Sequence, residues 1–155
     1  KKALMRGRVV NKIARHNIMF GEEAQEPEYE TGKGRIIPFT EVKYLNKIKN
    51  KLSEIIDGGN DLIAEGNHYY DLNKTTIGFH GDTERKKVIA LRLGSSFPLW
   101  FRWYTRFKPI SDEIEIKLNN GDMYIMSEKA VGTDWKKSSQ ITLRHAAGMR
   151  KNIFK

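Results

Sequence analysis

The sequence has no cysteine among its 155 residues. That absence excludes disulfides, cysteine-based zinc sites and thiol catalysis, and it fits an intracellular protein. No apolar run approaches the roughly 20 residues that a membrane span needs, so no membrane partner is expected. The chain opens Lys1-Lys2-Ala3-Leu4-Met5-Arg6 with no apolar stretch behind it, so no signal peptide is expected. Asn73-Lys74-Thr75 matches a glycosylation sequon, which carries no weight without a secretory context. Also missing are a Gly-rich phosphate loop, a Gly-x-Ser-x-Gly elbow and a His-Glu-x-x-His helix. Acidic residues are in deficit: 19 Asp and Glu stand against 28 Lys and Arg, a net charge of +9. The surplus clusters at both ends of the chain and in Arg85-Lys86-Lys87. Such a surface attracts polyanions, DNA or RNA first among them.

No internal repeat or low-complexity tract divides the chain, and its length suits one domain, here 1–155. Residues 1–39 are poorly periodic and read as a basic extended arm with short strands. In Glu41 to Ile56, Val42, Leu45, Ile48, Leu52 and Ile55 recur at spacings of three and four. This pattern predicts an amphipathic supporting helix within 40–57, capped by Thr40 and stopped by Asp57-Gly58-Gly59. Strand signals dominate afterwards, at His68–Tyr70, Thr76–Phe79, Val88–Leu93, Leu99–Tyr104, Ile114–Leu118, Met123–Met126 and Ser139–His145. Asn119-Asn120-Gly121 reads as a hairpin turn. The expected fold is mostly β with an N-terminal helix, a double-stranded β-helix or jelly roll whose core spans 65–148.

His80-Gly81-Asp82 is the motif that carries chemistry. Side chains two apart on an extended segment point the same way, so an imidazole and a carboxylate aim at one spot. They form two thirds of a facial metal triad, the ligand set of non-haem iron(II) oxygenases. The remaining histidines are His16, His68 and His145. His145 lies late in the β-rich region, where a jelly roll brings a distant strand back beside an early one. Asp134 is the alternative third ligand. Arg144 offers a planar fork for a carboxylate. It adjoins His145, however, and adjacent strand residues face opposite ways unless a bulge intervenes. Arg150 is the reserve for that clamp.

The ordered set of motifs resembles the AlkB-like iron(II)/2-oxoglutarate dioxygenases. Asn67-His68-Tyr69 followed by His80-Gly81-Asp82-Thr83-Glu84 resembles the family's Asn-x-Tyr and His-x-Asp with a nearby acid. Val88 to Gly94, Phe101-Arg102-Trp103, Asn120-Gly121-Asp122 with Met123 to Met126, and Ile141-Thr142-Leu143-Arg144 resemble its later strands. Ala14-Arg15-His16-Asn17 to Phe20-Gly21 echoes its substrate lid. The resemblance implies Fe(II) on His80 and Asp82, and 2-oxoglutarate held by Asn67, Tyr69 and Arg144. It implies Glu84 beside the substrate base and Arg15 in the lid; Trp103 is a further substrate-binding candidate. The family's usual place for the second iron His reads Val131 to Lys137 here and contains none, and Ser138 stands where an Arg is usual. The third ligand is expected to be His145, shifted from the family's usual place, with Asp134 as the alternative.

The reaction implied is oxidation of a methyl group on a nucleic-acid base, by a monomer. Tyr70, Phe79, Trp100, Trp103 and Trp135 are candidate stacking partners. Two other readings fit the same sequence: the same chemistry on a protein or small molecule, and a non-catalytic basic nucleic-acid-binding β domain.

Overall fold

The computed structural model describes residues 2–5 and 8–154, with side chains from residue 12 onward. The chain is mostly β. It divides into two compact units, Lys1–Tyr70 and Asp71–Lys155. No described helix is long and apolar enough to cross a membrane.

The first unit carries β1 (Lys2–Met5), β2 (Arg8–Asn11), β3 (Arg15–Gly21), β4 (Ile36–Pro38), α1 (Lys43–Ile55) and β5 (Ala64–Tyr69). β1 and β2 pair antiparallel, while β3 lies between β4 and β5. The register sets Arg15 opposite Tyr69 and Asn17 opposite Asn67. α1 keeps the expected stripe half-buried at Leu45, Ile48 and Leu52, but Ile55 is exposed. Thr40 is not its cap. A 3-10 turn over Phe39–Glu41 precedes the helix, and Val42 occupies the cap position with no side-chain hydrogen bond. The C-terminal stop forms as expected: Gly58 takes a left-handed φ of 75° and the Gly59 N–H bonds to the Ile56 carbonyl.

The second unit contains β6 (Thr76–His80), β7 (Val88–Leu91), β8 (Phe97–Thr105), β9 (Lys108–Pro109), β10 (Ile114–Leu118), β11 (Met123–Met126), α2 (Glu128–Val131), β12 (Thr142–Gly148) and α3 (Arg150–Ile153). Its pairings nest. β8 pairs β10, β7 pairs β11 outside them, and β6 pairs β12 outside those, all antiparallel. The ribbon curls until β12 also pairs β8, giving the sheet order β10-β8-β12-β6 with β11-β7 apart. Asn119-Asn120-Gly121 is therefore not a hairpin turn. Gly121 supplies the left-handed φ of 87°, but the flanking strands β10 and β11 lie in different sheets. The turn is a crossover. Its ends are tied by the Asn119 N–H to Asp122 Oδ2 at 2.6 Å and by the Gly121 N–H to the Arg92 carbonyl at 2.8 Å.

The strand period of two gives the main sheet two different faces. On one face Leu99 and Phe101 of β8 pack with Leu118, Met126 and Val131, flanked by Leu143 of β12. On the other, the fully buried Trp100 donates its indole N–H to the Gly148 carbonyl at 2.8 Å and meets Phe154 edge-on at 5.3 Å. Phe79 and Tyr104 extend that second layer. Trp100 is thus spent in packing and is not a stacking partner for a base.

Candidate metal centre

β6 ends at His80, and β12 runs antiparallel beside it with His145 directly opposite His80. Directly opposed residues project from the same face. Their rings approach to 4.4 Å between centroids. Asp82 lies two residues past His80, beyond the strand end, where its N–H bonds to the Val131 carbonyl at 3.0 Å. Its carboxylate reaches the His80 side. One ligand atom from each of His80, Asp82 and His145 falls within 4.8 Å of the others. The Nε2 atoms of His80 and His145 lie 3.6 and 3.9 Å from the two oxygens of Asp82.

These separations are too long for hydrogen bonds and wider than the spacing around a shared cation, which would draw the donors inward. Metal–ligand bonds of about 2.1 Å meeting at right angles would bring the donors to roughly 3 Å. His80 Nδ1 lies 2.8 Å from the Gly78 carbonyl, which can only accept, so that nitrogen carries the proton. Its Nε2 then faces the carboxylate. This is the arrangement by which an outer carbonyl orients a ligating histidine.

His145 is 9% exposed. Burial, reinforced by the neighbouring His80, pushes its pKa down to about 4 against the opposing pull of Asp82. Its imidazole is neutral at pH 7. The buried Nδ1 closes no hydrogen bond of ordinary geometry, although the Ala130 carbonyl favours the protonated ring. Two imidazole nitrogens thus converge on a carboxylate that also accepts from Arg85, a donor set of the kind that holds a cation.

The glycine of His80-Gly81-Asp82 is required by packing. A Cβ at Gly81 would stand 2.2 Å from the Gly132 carbonyl oxygen and 2.7 Å from the Trp135 ring. Gly132 has a φ of 77° and itself presses against the Leu143 carbonyl. The loop after α2 therefore clamps the ligand loop to β12.

Asp134, the alternative ligand, is not in the cluster: Lys129 Nζ holds it at 2.6 Å. Arg144 is buried one residue before His145, but the register to β8 runs unbroken from Thr142 to Ala147. The only bulge in β12 falls between His145 and Ala147 against β6. Arg144 consequently faces the Trp100 side of the sheet, away from the cluster. Arg150 is ion-paired to Glu113 and lies over Trp100 and Phe154. Glu84 is exposed on the ligand loop and accepts from Thr83 at 3.3 Å. Asn67, Tyr69 and Arg15 belong to the Lys1–Tyr70 unit, on β5 and β3.

Trp103 lies on the His145 face and lines an apolar cavity of about 360 Å³ with Phe101, Leu143 and Ala130 among its walls. Phe101 is the cross-strand neighbour of His145, with ring centroids 6.4 Å apart. Sequence reasoning missed Arg85, whose Nη1 donates to Asp82 Oδ2 at 3.3 Å. Its place three residues after Asp82 was the only clue. Nothing in the linear sequence marked Gly132.

A curled antiparallel ribbon that presents two histidines and a carboxylate is the class of structure in hand. No protein-family model matches the chain, and no solved structure matches it. Among curated proteins it is similar to "Uncharacterized protein R156" of Acanthamoeba polyphaga mimivirus, at 55% identity over 152 residues. The match takes in 98% of this chain but 60% of the viral protein, so the chain spans about three fifths of that relative's length.

Proposed function

We propose that the Asp71–Lys155 unit holds iron(II) on His80, Asp82 and His145 and works as an AlkB-like 2-oxoglutarate-dependent dioxygenase on a methylated nucleic-acid base. The observation that carries this reading is the convergence of the two imidazole Nε2 atoms on the Asp82 carboxylate, with one ligand atom of each residue within 4.8 Å of the others. Two histidines and one carboxylate are the donor set that iron(II) oxygenases use, because three ligands leave coordination positions for a 2-oxo acid and oxygen. The nested pairings β8·β10, β7·β11 and β6·β12 support a double-stranded β-helix.

Iron(II) with 2-oxoglutarate and dioxygen supplies the oxidising power that turns a methyl C–H into an alcohol, releasing succinate and carbon dioxide. The chain's own residues do the positioning. The Gly78 carbonyl fixes the His80 tautomer, burial keeps His145 neutral, and Arg85 steadies one oxygen of Asp82. Phe101 packs beside the His145 ring. The +9 charge favours a polyanionic substrate. On an N-methyl group the hydroxymethyl product collapses to formaldehyde and the bare base; on a C-methyl group the alcohol persists. A duplexed base would have to flip out to reach the site.

The test is calorimetric titration of manganese(II), an inert surrogate, with and without 2-oxoglutarate, followed by succinate release on methylated oligonucleotides. Binding strengthened by the 2-oxo acid and abolished in His80→Ala, Asp82→Ala and His145→Ala is expected. Absence of metal binding by the intact protein would overturn the reading and favour the non-catalytic nucleic-acid-binding domain.

A further inference from the structure

The other face of β12 holds a charge that the chain does not neutralise. Arg144 is 8% exposed, and its guanidinium carbon lies 4.2, 5.3 and 5.5 Å from the ring centres of Tyr104, Trp135 and Phe107. No carboxylate pairs with it among the described residues, and its buried Nε has no acceptor. Directly across the sheet stands a second arginine, Arg102. Glu113, the acid beside Arg102, already serves both Arg102, at 4.0 Å, and Arg150. Cation–π contact offsets part of the cost of burying Arg144, but an unpaired buried charge is rare without an anion to meet it.

A second observation comes from the hairpin tip beside it. Arg106 and Phe107 join β8 to β9 with φ of 47° and 63°. A two-residue turn with both φ values positive favours Asn-Gly, and a bulky ring there is an outlier. Such strain is kept where the side chain has work to do. Phe107 is 54% exposed and overhangs Arg144. The Ser138 carbonyl accepts the Arg106 N–H at 2.9 Å, which brings the Lys136-Lys137 loop to the same place. Lys136 Nζ lies 5.7 Å over Trp135.

We propose that this face is a nucleoside-phosphate site, separate from the metal cluster. Arg144 meets the phosphate with its terminal N–H groups, Phe107 stacks on the base, and Arg106 and Lys136 supply further positive charge. The shared chemistry is a phosphate attached to a base, from either a free nucleotide or a single strand. The site does not depend on the oxygenase reading, since a base–phosphate unit would dock here with or without a metal.

The experiment titrates labelled oligothymidylate, and AMP in a parallel arm, into the intact protein in EDTA, so that the metal cluster takes no part. Arg144→Met should weaken binding about tenfold while thermal stability holds or rises, because an unpaired buried charge is replaced by an apolar side chain. Phe107→Gly should weaken it about fivefold or more while raising the melting temperature, because turn strain is relieved. A residue with a purely structural role would lower both quantities. Binding of AMP with these sensitivities assigns a free nucleotide, and binding of the oligomer alone assigns a strand; both support the site. Wild-type affinity in both variants, no binding by the wild type, or equal loss in His145→Ala would overturn it. Loss of metal binding in the separate manganese titration bears only on the oxygenase reading.

Discussion

Replacing Gly81 by alanine tests whether packing against the Gly132 loop sets the metal ligands. The added Cβ would lie 2.2 Å from the Gly132 carbonyl oxygen and 2.7 Å from two atoms of the Trp135 ring. Both distances fall well inside contact range, and the nearest obstacle is backbone that cannot rotate away. The loop must move by about 1 Å. Overpacking of this kind costs typically 1–3 kcal/mol, and an immovable carbonyl puts this case near about 3. For a chain of this size that is a fall in melting temperature of about 6–12 °C. The displaced loop carries Asp82, so manganese affinity should also drop by about 10- to 100-fold, the range for lost outer support. Gly78→Ala is the matched control. No atom lies within 4 Å of a Cβ there, so both readouts should stay near wild type. Differential scanning calorimetry and metal titration on the three proteins decide the matter. Gly81→Ala with wild-type melting and wild-type affinity would refute the reasoning.

Four further outcomes follow from the same structure. His145 has a folded-state pKa of about 4 against 6.5 in the unfolded chain. Between those values the unfolded state binds the extra proton, so stability falls by about 3 kcal/mol as pH drops from 6.5 to 4. Urea denaturation should show that loss in wild type and not in His145→Gln. Saturating manganese, at 100 times its dissociation constant, should add about 2.7 kcal/mol of stability, and His80→Ala should abolish the effect in a melting assay. Asp134→Asn should keep wild-type metal affinity, because Asp134 is engaged by Lys129 outside the cluster; a large loss in the same titration would return it to the ligand set. Trp100→Ala should cost about 3–5 kcal/mol by chemical denaturation, since it empties a fully buried indole site and orphans the Gly148 carbonyl.

The sequence by itself determined what is local. Alternation marked Ile114–Leu118, periodicity of three and four marked α1, Gly58-Gly59 marked its end, and Asn120-Gly121 marked the Asn119 turn. It also marked the His80–Asp82 pair, because a spacing of two on an extended segment is enough to align two side chains. What it could not determine depended on which strands meet. The Asn119 turn looks the same whether its strands pair or part, and only the pairing of β10 with β8 and β11 with β7 made it a crossover. Which of His145 and Asp134 joins His80 and Asp82 was decided when β12 settled against β6 with His145 opposite His80. The same strand direction turned Arg144 to the other face, since no bulge separates the two residues in the register to β8. Glycine at position 81 was read as motif, while its reason, the Gly132 carbonyl pressed against it, comes from a loop far along the chain. Side-chain periodicity is written into the backbone of each segment, whereas register and close approach are properties of the packed pair.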